Sequence, residues 1–387
     1  MKPNTNNQIL TLLFIGVLMS ALDISIVGPA IPSIEKTILI NHQDLSWIFS
    51  IYVLFNLVGI SLMAKLSDFF GRRRIYLLSA AIFGIGSLIV ASSQDMTVLL
   101  IGRGIQGFGS SGIFPVAAAV IGDLFPVEKR GRALGILGAV FAIAFMIGPF
   151  IAGFMLMYFS WNILFLINIP VVILLICWGY FLLPSKRMEQ KIKFDFTGVI
   201  LMGIILAAFS LGVNSIRTDH FVDSITTFPV LLLLLLAGIL TPILIILEKT
   251  TDVPVLDVRL FNSRQVLLVG FIAVGLGFFQ SSIVFLPKLA VTLFGVEPSR
   301  ASFMLLPVVV AAAIGSPIGG RLIDKIGSRI IIFTGLLIAT LALFLLSIIV
   351  KNLVYFYCAE GLLGIGLAIR ASLSYIMLNE VSLKQRA

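Results

Sequence analysis

Long apolar stretches separated by short polar loops run through the chain from end to end. A helix crossing a bilayer needs about 20 consecutive apolar residues. Windows of that size fall at 9–30, 45–64, 75–93, 97–122, 132–156, 162–183, 196–214, 226–247, 266–291, 302–320, 330–350 and 353–378. The pattern therefore predicts about twelve helices. Runs such as 229-PVLLLLLLAGILTPILIIL-247 carry no polar stripe, so they predict helices surrounded by lipid and by one another, not helices with one face in water. The first window is longer than the apolar segment of a secretory leader, contains Asp23 and has no Ala-x-Ala site after it, so it reads as a retained helix.

Composition agrees with an all-α polytopic membrane protein: 59% of the 387 residues are hydrophobic and 12% are charged. The net charge of +9 would suit a nucleic-acid partner only if basic residues shared one solvated face. They sit instead in every second loop. Twenty Lys and Arg fall on one side of the predicted membrane and five on the other, with Arg103 and Arg370 inside helices. Cytoplasmic loops hold the basic excess, so the amino terminus is expected in the cytoplasm and the protein in the cell membrane. Cys177 and Cys358 lie inside apolar runs and read as packing residues. Without a nucleophile–base set, Cys/His metal spacing or a GxxxxGK[ST] loop, neither an enzyme nor a nucleotide-driven pump is expected, and no metal or cofactor.

The chain also repeats itself. The stretch 64-AKLSDFFGRRR-74 is echoed by 319-GGRLIDKIGSR-329, which aligns Asp68, Gly71 and Arg73 with Asp324, Gly327 and Arg329 at an offset of 256. The same offset carries 126-PVEKRG-131 onto 382-SLKQRA-387, and 103-RGIQGFG-109 meets 360-EGLLGIG-366 after one inserted residue. Two similar halves follow. Residues 1–183 form an N-terminal six-helix bundle, 184–263 hold two linker helices and loops, and 264–387 supply the first four helices of a C-terminal bundle. The offset would place the end of the second half near about residue 439, so two helices are expected to be missing, through a fragment, a truncated product or a genuine absence.

These features resemble the fourteen-helix drug:proton antiporter family of the major facilitator superfamily, of multidrug efflux type. The resemblance rests on the paired loops together with 21-ALDISIVGPAIPSI-34, 99-LLIGRGIQGFG-109, 138-GAVFAIAFMIGPFIAG-153, 161-WNILFLINIP-170, 194-FDFTGVI-200 and 256-LDVRLFNSR-264. It covers essentially the whole chain. It implies the major facilitator fold: two pseudo-repeated six-helix bundles with two inserted helices. Departures occur at Ala64, Phe69 and Ser328 in the paired loops, at Asn162 after the Trp, and at Gly28-Pro29 in the first helix. The implied function is proton-coupled export of lipophilic or cationic small molecules, with substrate, protons and lipid bilayer as partners and a monomer as the working unit. Transport of one specific metabolite, or a non-transporting remnant or sensor, stays open.

The residues have their own chemistry. A carboxylate within a membrane helix costs roughly 2.5–3.5 kcal/mol on insertion scales, so Asp23 must be protonated, paired, or spent on the helix break before Pro29. Arg103 is the intramembrane cation in the same half, with Gln106 on the same helix face. The resemblance makes Asp23 and Arg103 the proton-coupling pair. Asp68, Arg72 and Arg73 around Gly71, with Asp324, Gly327 and Arg329 in the second copy, read as a cytoplasmic latch built from charge-assisted hydrogen bonds, or as loops whose cations only set orientation. Ala144, Gly148 and Ala152 form a small-residue ridge beside Pro149. With Gly153 they resemble the family's antiporter motif, except that Ala144 and Ala152 stand in for Gly. Asn56, Gln106, Gln280, Glu360 and Arg370 are the candidate cavity residues.

Overall fold

A computed structural model describes residues 3–38, 44–184, 195–216, 221–251, 254–255, 258, 262–348 and 352–367. Among them the secondary structure is helical throughout: α1 (Pro3–Thr37), α2 (Trp47–Phe70), α3 (Arg72–Ser92), α4 (Met96–Leu124), α5 (Val127–Tyr158), α6 (Asn162–Leu166), α7 (Asn168–Leu182), α8 (Phe196–Asn214), α9 (Phe221–Thr226), α10 (Phe228–Thr250), α11 (Arg264–Phe294), α12 (Pro298–Met304), α13 (Leu306–Ile326), α14 (Ser328–Ile348) and α15 (Leu353–Leu367), with one short 3-10 turn before α2. Each of the twelve apolar windows contains a helix. Two windows are broken: 162–183 divides at Ile167 into α6 and α7, and 302–320 at Leu305, after α12. Ten of the described helical segments are long and apolar enough to cross a membrane.

Helices span a bilayer because their backbone groups are satisfied internally. The outward surface is accordingly apolar: Phe271 is 81% exposed and Phe181 85%, as side chains facing lipid would be. Cys177 and Cys358 are exposed free thiols, so the expectation that they pack inside is corrected. A single cysteine in a run apolar on every side carries no sign of which face is turned inward.

The chain divides into two compact units. One comprises Met1–Ile24, Glu35–Phe141 and Trp161–Val258, the other Ser25–Ile34, Ala142–Ser160 and Arg259–Ala387. In the first, α4 packs closely on both α2 and α3, around a core that includes Tyr76, Phe83, Ile113, Val120, Leu137 and Leu175. Helices α8 and α10 pair with each other, and α8 rests on α2, where the Ser46 hydroxyl donates to Asn214 Oδ1 at 3.0 Å. In the second unit α15 packs on α13 and α14, with Leu305, Val308, Ala339, Phe356, Ala359 and Leu363 in the core.

The repeat holds at the level of backbone contact. A Cβ added to Gly107 of α4 would come 2.9 Å from the Tyr52 carbonyl carbon of α2, and one added to Gly109 would come 2.7 Å from Phe83 Cα of α3. In the second unit, a Cβ on Gly364 of α15 would come 2.9 Å from the Val308 carbonyl carbon of α13, and one on Gly366 the same distance from Ala339 Cα of α14. Both glycine pairs are 257 residues apart, and Tyr52 to Val308 and Phe83 to Ala339 are each 256. Lacking side chains, these glycines let three helices approach closely in each unit, where dispersion contacts and not water exclusion supply the attraction.

Candidate functional site

The first unit holds a buried polar cluster. Asp23 of α1 and Arg103 of α4 are both 0% exposed. Arg103 Nη1 donates to Asp23 Oδ2 at 2.6 Å and to Gln106 Oε1 at 2.7 Å. Asp23 Oδ1 accepts from Gln106 Nε2 at 2.6 Å and from Asn168 Nδ2 of α7 at 3.1 Å. Ser87 of α3 closes the ring, its Oγ 2.8 Å from Gln106 Nε2 and 3.2 Å from Asn168 Nδ2. Four helices thus contribute to one network around a single carboxylate.

Local sequence explains the placement. Arg103 and Gln106 are three residues apart and share a helix face. A Cβ on Gly86 would lie 2.7 Å from Gln106 Cα, so the absence of a side chain there draws α3 against α4 and sets Ser87 beside the amide. On the α2 side, Arg103 Nε donates to the Ile48 carbonyl at 3.1 Å, and the guanidinium lies 4.3 Å from the Tyr52 ring centroid. That stacking stabilises the cation by about 2 kcal/mol or more where water is excluded. Tyr52 is held in turn, its hydroxyl donating to Ser110 Oγ at 2.7 Å. Arg103 Nη2 has no hydrogen-bond partner among the described residues.

Chemically the cluster tolerates charge only as a pair. Removing one member of a buried ion pair typically costs about 3–5 kcal/mol, because the other charge is left uncompensated in a medium that cannot solvate it. A proton arriving at Asp23 is such a removal. It would cancel the carboxylate and leave Arg103 to find water or a new acceptor.

A second constellation lies at the α2–α3 junction. Gly71 has φ 96°, a region open to glycine and strained for other residues, and Gly327 between α13 and α14 has φ 83°. Arg72 forms an ion pair with Asp68, donates to Ser67 Oγ at 2.6 Å and reaches Asp123 of α4 at 3.0 Å. Arg73 donates to the Tyr180 carbonyl of α7 at 3.1 Å and lies over that ring at 5.1 Å. The side chains of Asp324 and Arg329, and the whole of Arg370, lie outside the described residues.

In the second unit, the ridge of α5 meets the segment Ser25–Ile34 of α1. Ser25 Oγ donates to the Ala144 carbonyl at 3.0 Å, and a Cβ on Gly148 would lie 2.7 Å from Ser25 Cβ. Pro149 is buried beside Gly148, and Gly153 faces the Phe303 ring. The remaining candidates scatter. Asn56 spends its amide on the Gly107 carbonyl at 3.3 Å, Gln280 is half-buried on α11, and Glu360 is 0% exposed inside the core of the second unit.

Ser87, Tyr52 as a platform for the cation, and Asp123 are members that sequence reasoning missed. No motif marks Ser87, and Asp123 stands in a helix end without one.

A helical membrane protein built from repeated, glycine-packed units around a buried acid–arginine pair matches one family model, the Major Facilitator Superfamily, over residues 13–387. The chain belongs to that superfamily. It is 32% identical over 342 residues to the multidrug transporter protein MdtP of Bacillus subtilis (strain 168), an alignment covering 87% of this chain and 62% of MdtP. It is 30% identical over 337 residues to the riboflavin transporter RibZ of Clostridioides difficile (strain 630), covering 87% of this chain and 72% of RibZ. In three dimensions it resembles the crystal structure of a bacterial homolog of the human lysosomal transporter Spinster in an inward-facing, occupied conformation. That match has a TM-score of 0.60 and 18% identity over 97% of this chain and 74% of the other.

Proposed function

We propose that the chain works as a proton-coupled secondary active transporter of the fourteen-helix drug:proton antiporter type, exporting lipophilic or cationic small molecules across the cell membrane by alternating access, with its amino terminus in the cytoplasm. The observation that carries this reading is the Asp23–Arg103 pair, buried to 0% exposure, bridged by Gln106 and met at Asp23 by a further donor from Asn168. Protonation of Asp23 releases Arg103, and the freed cation favours whichever conformation lets water or substrate reach it. The Arg72 cluster with Asp68 and Asp123 supports the reading as a cytoplasmic latch that holds in one conformation and parts in another. The ridge at Gly148, Pro149 and Gly153 supplies a close helix contact of the kind the antiporter motif provides. The MdtP relative favours a multidrug substrate range.

The test is efflux of a fluorescent lipophilic cation from cells producing the chain, with and without an uncoupler. Efflux should stop when the proton gradient collapses and in Asp23→Asn. Unchanged efflux in either case rejects the coupling. The RibZ relative favours a second reading, transport of one metabolite. A panel in which a single compound is moved and lipophilic cations are not would select it.

A further inference from the structure

Glu360 and Arg103 occupy equivalent places in the two units. The glycines that follow them, Gly107 and Gly364, pack on the backbones of Tyr52 and Val308, and Gly109 and Gly366 pack on Phe83 and Ala339. Applying the same equivalence to the polar ring around Arg103 shows what the second unit has lost. Gln106 becomes Leu363, Tyr52 becomes Val308, Ser87 becomes Leu343, and Ile48, whose carbonyl takes the Arg103 bond, becomes Met304. Leu363, Val308 and Met304 are buried core residues, with Leu343 packed against them. Glu360 itself is 0% exposed, and neither of its carboxyl oxygens has a hydrogen-bond partner among the described residues.

Among the described residues no charged side chain is hydrogen-bonded to Glu360. Arg321, Asp324 and Lys325 of α13 begin 13 residues past Val308, about 20 Å along the helix at 1.5 Å per residue. Arg329 of α14 is ten residues, about 15 Å, before Ala339. On α11, Arg264 is in the first turn and Lys288 is half-buried; Arg300 of α12 is exposed. A carboxylate set in an apolar cluster without a donor is accommodated by neutralisation and not by solvation. Asp23 is the opposite case, an acid met by three donors.

We propose that Glu360 is a second proton-binding site, holding a neutral carboxylic acid in the described conformation and giving up that proton when α15 moves relative to α13 and α14. Its use in transport rests on the proton-coupled reading above, whereas its occupancy by a proton does not. The Glu360 O–H bond breaks, the proton passes to water admitted between the helices, and the carboxylate is reprotonated from the other side of the membrane.

Infrared spectroscopy of the purified chain tests occupancy. The carbonyl band of a protonated carboxylic acid should be present at neutral pH, absent in Glu360→Gln and retained in Asp23→Asn. Gln has the shape of the protonated acid, so that variant should elute as wild type does; Glu360→Leu, which matches the apolar surroundings, should lose the band as well. Superimposable spectra for wild type and both Glu360 variants would overturn the assignment. In reconstituted vesicles, Glu360→Gln should move one proton fewer per substrate, and an unchanged ratio would overturn its role in coupling. Uncoupler-insensitive transport would reject the wider reading while leaving the infrared result standing.

Discussion

Consider the buried pair as a thermodynamic object. Replacing Asp23 with Asn removes the carboxylate that Arg103, Gln106 and Asn168 all contact, and leaves a guanidinium with 0% exposure and one nitrogen already unpartnered. Replacing Arg103 with Met leaves a carboxylate that keeps only two amide donors. Each single change should destabilise the protein by about 3–5 kcal/mol, the usual penalty for orphaning a buried charge. The double variant removes both charges and should lose much less than the sum. Residues in direct contact deviate from additivity by about 0.5–3 kcal/mol, and full burial places this pair at the upper end of that range. Unfolding in mixed micelles, followed by tryptophan fluorescence with Trp161 as a buried reporter, measures all four corners of the cycle. Losses that add to within about 0.5 kcal/mol would mean the two residues act independently, and the reasoning would fail.

Other outcomes follow from the same geometry. Gly71→Ala and Gly327→Ala force a Cβ onto backbones at φ 96° and 83°, and each should cost about 1–3 kcal/mol by mixed-micelle unfolding. Gly107→Ala and Gly364→Ala should each cost about 1–3 kcal/mol through overpacking against a neighbouring backbone. Gly238→Ala, where an added Cβ meets nothing within 4 Å, should instead stabilise its helix by about 0.5–1 kcal/mol, so equal effects at the three sites would refute the packing account. Arg72 has two carboxylate partners, and Asp68 and Asp123 are partly exposed, so Asp68→Asn or Asp123→Asn alone should cost less than about 1 kcal/mol. Efflux should fall clearly only in the double variant, and a full loss from either single change would argue against a shared latch.

Much of the fold was legible because bilayer thickness imposes a length that apolar windows display directly. The repeat was legible for a different reason: Asp-x-x-Gly-x-Arg and the glycine spacing of α4 and α15 are local patterns that the backbone needs in both units. The kinship of Asp23 and Arg103 could be read because an acid and an arginine are each conspicuous in an apolar helix. Ser87 and Asp123 were not legible. Neither breaks the local pattern, and each matters only because glycine-mediated packing brings its helix within bonding distance of another.

Spacing along one chain therefore determined where the apolar helices fall, their apolar character, the doubling of the unit and the rarity of charge within the membrane. Those are one-dimensional quantities, set by 1.5 Å of rise per residue against a slab of fixed thickness. Tertiary structure alone decided which donors meet Asp23, that Tyr52 lies beneath Arg103, and that Glu360 faces apolar residues where its counterpart faces polar ones. The reason is physical: in lipid every helix face is equally apolar to a first approximation, so only close packing between helices selects which polar atoms are brought together.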